Sequence, residues 1–246
     1  MTIRGVIFDN DNTIAKIYPD PRSYWLEVFL DTVRECGGKI PPGRENEYML
    51  AYYTGKGFLA RLSEIGLKTS WDEFQKLKGV VDERKRLAYI KEGKAGLFPD
   101  AAELLRYLAA HGIKYGVATF STRKVVMAAF DIALDCPRPD GFFGWDDSLK
   151  HKLEKPNPEI AFRVLKQMKV SAEEALMVGD RLTDIELGNQ AGMGTVLVKR
   201  MKEDGPLIAQ IEREIEDIRG NMARLEDFNK VPDHQVTKLT EIVPLL

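Results

Sequence analysis

Four short apolar runs, at residues 3–8, 114–118, 175–179 and 194–198, constrain this chain most, because three of them stop directly on a polar residue: Asp9, Thr119 and Asp180. Runs of this length and β-branched content have the signature of buried strands. Helical patterns at 101–110, 123–133 and 158–168 stand between them. Strand and helix therefore alternate as βαβ units require, and the sheet is predicted to be mostly parallel. Local signals agree: Asp100 with Glu103 can open the first of these helices, Asn157 before Pro158 can open another, and His111-Gly112 supplies a stop. In open parallel sheets functional groups collect beyond the carboxyl ends of the strands, the edge to which Asp9, Thr119 and Asp180 are assigned.

Residues 15–96 interrupt this alternation with several helical patterns and no convincing strand. Asp20-Pro21 opens one amphipathic helix that runs to about Cys36 and ends at Gly37-Gly38, and Ser70 with Glu73 forms a capping box for another. The expected architecture is α/β: a doubly wound, mostly parallel sheet formed by residues 1–14 and 97–246, with an all-α domain of residues 15–96 inserted after the first strand. Farther on, Ile208, Ile211, Ile215, Ile218, Met222 and Leu225 recur at helical spacing. That stripe is assigned to cover the core of its own subunit rather than to form a dimer seam.

Composition excludes several partner classes. The 36 basic and 38 acidic residues nearly cancel, so no overall field draws nucleic acid or an anionic membrane. No apolar run reaches membrane-spanning length and the N-terminal stretch lacks the regions of a signal peptide, which gives a cytoplasmic expectation. Cys36 and Cys136 fall outside zinc spacings and are expected to be reduced and buried. Monomer and homodimer both remain open.

The chemistry concentrates at Asp9-Asn10-Asp11-Asn12-Thr13, directly after the first strand. Alternate residues there can aim two carboxylates at one point, one as a nucleophile and the other as a proton shuttle. An Asx-rich turn is the plain structural alternative. The rest of the chain shifts the balance: Thr119 follows an apolar strand, Lys155 precedes Pro156, and Gly179-Asp180 is followed by Asp184.

These stretches, FDNDNT (8–13), GVAT (116–119), the lysine of KPNP (155–158) and VGDRLTD (178–184), resemble in order and placement the four motifs of the haloacid dehalogenase-like hydrolase superfamily. The likeness extends through LFPDAAELLRYLAAHGIKYGVAT and ELGNQAGMGTVLV. The resemblance implies a Rossmann-like core, a phosphatase of the branch with an α-helical cap between the first and second motifs, and a small phosphorylated metabolite as substrate. It implies Asp9 as nucleophile and Asp11 as acid/base, with magnesium held by the Asp9 carboxylate, the Asp11 carbonyl and Asp180. Thr119 and Lys155 would then hold the equatorial phosphate oxygens, and Asp184 would orient Lys155 or metal-bound water. Asn10, Thr13, Phe120, Ser121 and, on the insertion, Lys56 are candidate substrate or phosphate contacts. Lys56 lies in a stretch, 52–57, expected to be a turn between helices; its surroundings lack the spacing of a nucleotide-binding loop.

Three positions depart from the family pattern: Asn12 stands where glycine is common, Phe120 where asparagine is common and Arg181 where a small residue is frequent. Asp11 argues against dehalogenation. The absence of a histidine before His111 argues against a mutase, whose relatives use a cap histidine. A non-catalytic binding protein on the same fold is the alternative of another class. His111, His151 and His234 show no ligand spacing.

Overall fold

The structure, a computed structural model, describes residues 2–19, 21–54, 61, 64–67, 69–200 and 230–246. Lys56 and the stripe from Ile208 to Leu225 lie outside the described residues. The described chain separates into two compact units, one of residues 2–17, 90–200 and 230–246 and one lying between residues 18 and 89.

The first unit carries the strands β1 (Gly5–Phe8), β2 (Ala15–Lys16), β3 (Gly96–Leu97), β4 (Lys114–Ala118), β5 (Gly141–Phe143), β6 (Ala175–Gly179), β7 (Gly194–Val198) and β8 (His234–Val236). Six of these form one parallel sheet in the order β5-β4-β1-β6-β7-β8. Such an order requires crossover connections, as the alternation of apolar runs and helical patterns predicts. β1 is central: Phe8 pairs with Val117 of β4 on one side and with Val178 of β6 on the other. This register brings the residues that follow all three strands to one edge.

Side chains alternate across the sheet, so β1 serves two cores. Val6 and Phe8 pack with Leu104, Leu105 and Leu108 in one cluster, while Ile7 packs with Val164, Leu165 and Met168 in the other. The covering helices are those the pattern predicts: Pro99–Ala110 for the first cluster and Glu159–Met168 for the second. Arg123–Ile132 and Leu182–Ala191 complete the longer helices of this unit among the described residues.

Several local expectations are corrected. The helix expected at residue 101 starts at Pro99, with Phe98 flanking it and no side-chain cap. Proline's fixed φ suits the first helical position, and the Asp100 carboxylate is engaged elsewhere. Asn157 does accept from the Glu159 N–H at 3.0 Å, although the helix itself begins at Glu159. Ala15–Lys16 pairs antiparallel with Gly96–Leu97 inside the stretch expected to lack strands. Two residues carry no readable period, and the same brevity hid Gly141–Phe143, His234–Val236 and the short helix Trp145–His151.

The second unit is helical: α1 (Pro21–Glu35), α2 (Glu45–Thr54) and α3 (Trp71–Lys91), the last of which runs past residue 89. Phe29, Val33, Tyr48, Met49, Tyr52 and Phe74 lie at its core. After α1, Gly37 adopts φ 78° and the Gly38 N–H returns to Val33 O, a left-handed helix ending that glycine allows without strain. The Ser70–Glu73 box forms reciprocally: the Ser70 N–H donates to Glu73 at 2.9 Å and the Glu73 N–H to Ser70 Oγ at 3.3 Å. Tyr52 and Thr54 belong to α2 and not to the expected turn, whose remaining residues, 55–57, lie outside the described residues. Arg86 is buried against Asp82, which also accepts from the Tyr24 hydroxyl.

Cys36 and Cys136 are free thiols, as expected, but each is only half-buried. No helix among the described residues is long and apolar enough to cross a membrane.

Candidate active site

The turn after β1 is a backbone device. The Asp9 N–H still pairs with Val178 O at 2.9 Å, and the Asn10 carbonyl then accepts from the N–H groups of Thr13, Ile14 and Ala15. Closing so tight a turn puts Asn12 at φ 61°. That left-handed conformation explains why glycine is common there, and asparagine is among the few other residues that adopt it readily.

The turn is braced from below. Arg200, just past β7, donates from Nε and Nη2 to the Thr13 carbonyl at 3.1 and 2.8 Å, and from Nη1 to Asp100 at 3.1 Å. Its guanidinium lies 3.9 Å from the centre of the Phe98 ring. Asp100 also accepts the Leu239 N–H at 2.8 Å, so one carboxylate links the brace to the chain beyond β8. Sequence reasoning missed Arg200, since a lone arginine after a strand carries no signal of the carbonyl it will meet.

Lys155 organises the acids. Its ammonium donates to Asp9 Oδ1 at 2.6 Å and to Asp184 Oδ1 at 2.7 Å, and the three side chains are 3%, 8% and 1% exposed. Asp184 Oδ2 accepts the Arg181 N–H at 3.1 Å, so both its oxygens are engaged by donors. Asp180 extends the group: carboxylate oxygens of Asp9, Asp180 and Asp184 all lie within 4.8 Å of one another.

The charges do not balance within the site. Burial opposes the charge on Lys155, but Asp184 and Asp9 outweigh it and raise its pKa above the usual lysine value. Burial also raises the Asp9 pKa well above the ordinary aspartate range; Lys155 opposes this, while Asp184, Asp180 and Asp11 add to it. The same four acids overcome desolvation at Arg181 and raise its pKa. A divalent cation with oxygen preference fits such a donor set, since it would relieve the repulsion that Lys155 and Arg181 leave. Asp9 and Asp180 suit the role better than Asp184, whose two oxygens already accept from Lys155 and Arg181.

The other residues singled out in the sequence fall nearby. Asp11 Oδ1 accepts from Asn10 Nδ2 and from Ser121 Oγ, each at 2.7 Å. Thr119 is buried at the end of β4 and its Oγ1 accepts the Ser121 N–H at 3.0 Å. Thr13 is fully buried. Phe120 is 39% exposed, with its ring 5.3 Å from Lys155 Nζ. The three histidines stay apart from this group: His111 stacks on Tyr107, His151 lies by Phe143 and His234 is exposed on β8.

Comparison with known proteins bears on the family and the fold. The haloacid dehalogenase-like hydrolase family profile matches residues 3–192, and a second HAD-hydrolase-like profile matches residues 153–242. A relative named as a pyrophosphatase, PpaX of Caldanaerobacter subterraneus subsp. tengcongensis, is 30% identical over 200 residues, covering 81% of this chain and 83% of its own. A phosphoglycolate phosphatase of Psychrobacter arcticus is 26% identical over 205 residues, covering 78% of this chain and 81% of its own. Among solved structures, CbbY from Rhodobacter sphaeroides in complex with phosphate shares the fold with a TM-score of 0.64 at 21% identity, covering 98% of this chain and 97% of its own. The motifs, the parallel sheet that presents them and the profile spanning most of the sequence lead to one assignment: the chain belongs to the haloacid dehalogenase-like hydrolase family.

Proposed function

We propose that this hydrolase is a magnesium-dependent phosphatase of small phosphorylated metabolites that works through an aspartyl phosphate on Asp9. The observation that carries the reading is the buried Lys155 ammonium held between Asp9 and Asp184, with an Asp180 carboxylate oxygen within 4.8 Å of theirs. The phosphatase and pyrophosphatase names of the relatives support the same class.

In this reading an Asp9 oxygen attacks phosphorus opposite the leaving oxygen. The aspartyl O–P bond forms as the ester P–O bond breaks, and the leaving oxygen takes the proton of the Asp11 carboxyl. Asp11, now ionised, accepts a proton from water as the water oxygen attacks the same phosphorus. The aspartyl O–P bond breaks, inorganic phosphate departs and Asp9 returns as a carboxylate. Lys155 and the Thr119 hydroxyl position the equatorial oxygens, the main task in phosphoryl transfer. Magnesium, held by the Asp9 carboxylate, the Asp11 carbonyl and Asp180, would supply positive charge against the phosphate dianion.

The helical unit between residues 18 and 89 serves as a cap that selects the substrate. Its insertion in the chain between β1 and the helix Pro99–Ala110 supports this role. A helical cap that closes over its substrate would suit a small metabolite better than a protein.

The test is hydrolysis of p-nitrophenyl phosphate with magnesium, followed by a metabolite panel at equal magnesium. Asp9→Asn should lose turnover by several orders of magnitude with the fold intact, because a carboxamide is a poor nucleophile. Near-normal turnover by Asp9→Asn overturns the mechanism. Magnesium binding without turnover on a broad panel would favour a binding protein instead.

A further inference from the structure

We infer, on the phosphatase reading above, that Phe120 and Trp145 form an aromatic ledge beside Lys155 and that the preferred phosphoester carries an aromatic ring on its leaving group. The ring is bonded to the ester oxygen directly or through one carbon. Both residues belong to the α/β unit.

Backbone contacts set the two side chains next to each other. Phe120 stands between Thr119, whose N–H donates to the Phe143 carbonyl at 2.9 Å, and Ser121, whose N–H donates to Thr119 Oγ1 at 3.0 Å. The Ser121 carbonyl in turn accepts the Trp145 N–H at 3.0 Å. Gly144 permits this approach, since a Cβ added there would lie 2.8 Å from the Ser121 carbonyl oxygen and 2.6 Å from the Phe142 ring. The chain after β4 is thus tied to the chain after β5. The ring centres of Phe120 and Trp145 lie 6.4 Å apart with their planes at 58°, a separation at which aromatic rings attract.

Thr119 and Ser121 are buried, whereas Phe120 between them is 39% exposed and Trp145 is half-buried. A lone exposed phenylalanine is ordinary. This one has Lys155 Nζ over its ring at 5.3 Å, and the same ammonium donates to Asp9 at 2.6 Å. The lysine that positions a phosphate oxygen in the proposed reaction therefore has the ledge as its neighbour. A ring attached close to the ester oxygen can stack there, while a ring at the end of a long spacer would overshoot.

The side chain at position 120 decides what is selected. Asparagine, common there in the family, would offer an amide to a polar leaving group. Phenylalanine has no hydrogen bond to offer; it gains by covering its exposed surface with another apolar surface and by ring-to-ring contact. A carboxylate or polyol placed against it would give up water and find no donor on Phe120.

The test uses ligands that cannot be hydrolysed, so it does not depend on turnover. Methylphosphonate, phenylphosphonate and benzylphosphonate are titrated into the protein by calorimetry under saturating magnesium. The tighter of the two ring ligands should bind about tenfold better than methylphosphonate. Phe120→Ala and Phe120→Asn should bring this ratio to within about twofold of unity and leave methylphosphonate affinity nearly unchanged, and Phe120→Trp should keep the ratio. Trp145→Leu, which removes the second ring, should lower the ratio as well. In turnover, KM for phenyl phosphate should rise about tenfold in Phe120→Ala, with KM for 2-hydroxyethyl phosphate unmoved.

If Phe120→Ala weakens all three phosphonates equally, the ring only shields Lys155 and the inference fails. If the wild type binds methylphosphonate as tightly as the ring ligands, or if the ratio is unchanged in both the Phe120 and the Trp145 variants, it fails as well. If no phosphonate binds and no ester is turned over, the phosphatase reading itself is wrong and the ledge has no substrate to select. Thermal melts show whether each variant has folded.

Discussion

Gly179 makes room for Asp184: a Cβ added at position 179 would lie 2.4 Å from Asp184 Oδ2 and 2.5 Å from its Cγ. The carboxylate cannot retreat, because Lys155 and the Arg181 N–H hold its two oxygens. Gly179→Ala should therefore displace Asp184 and, with it, Lys155. We expect a fall in kcat of about a hundredfold. Overpacking should cost about 1–3 kcal/mol of stability. Steady-state kinetics with a denaturant titration checks both.

Asp9→Asn should be inactive and yet more stable than the wild type in the absence of metal. The Asp9 carboxyl has a folded-state pKa raised by burial and by neighbouring acids, so its ionisation works against folding near neutral pH. The neutral amide removes that cost. The sign gives a further check: the gap in melting temperature should be full above the raised folded-state pKa, shrink as pH falls through it and vanish below the ordinary aspartate value of 3.8, where the wild-type carboxyl is protonated in both states. Melts in EDTA across this range suffice.

Adding magnesium should raise the melting temperature of the wild type, because a cation that binds only the folded form stabilises it by about 2.7 kcal/mol at a hundredfold excess over Kd. Asp180→Asn should weaken this rise while keeping the metal-free melt near that of the wild type. Scanning calorimetry with and without magnesium reads this independently of turnover.

Lys155→Met should be among the most damaging single changes in the α/β unit. It removes the ammonium from two carboxylates that are almost wholly buried. Breaking a buried ion pair from one side costs about 3–5 kcal/mol, so the variant should melt well below the wild type and lose turnover together.

Arg200→Met should strip the brace from the Thr13 carbonyl and from Asp100. Each buried acceptor left without its donor costs about 1–3 kcal/mol. Arg200→Lys should rescue little, because a single ammonium cannot reproduce the fork that meets both partners. A lower melting temperature with kcat reduced more than KM is the expected pattern.

The α/β unit was largely legible because each of its longer strands is a bounded apolar run and the helices Pro99–Ala110, Arg123–Ile132 and Glu159–Met168 have a clean amphipathic period; 114–118, 175–179 and 194–198 reappear without change as β4, β6 and β7. Elements of two or three residues, such as Gly141–Phe143 and His234–Val236, were not legible, since their pairing comes from neighbouring strands and not from their own pattern. At the site, the ordered motifs pointed to Asp9, Lys155, Asp180 and Asp184, which the fold draws together. The partnership of Ser121 with Asp11 spans 110 residues and has no trace in local sequence. Asp100 shows the limit most directly: it has the composition of a helix start but spends its carboxylate on Arg200 and the Leu239 N–H.

The position of β1 between β4 and β6 has a kinetic corollary. Asp9, Thr119 and Asp180 become neighbours only after strands far apart in the chain have docked side by side, and contacts of such long sequence separation are slow to form. Burial of aromatic side chains on refolding should thus precede any regain of phosphate turnover, and the interval between the two signals would time the insertion of the first strand into the middle of the sheet.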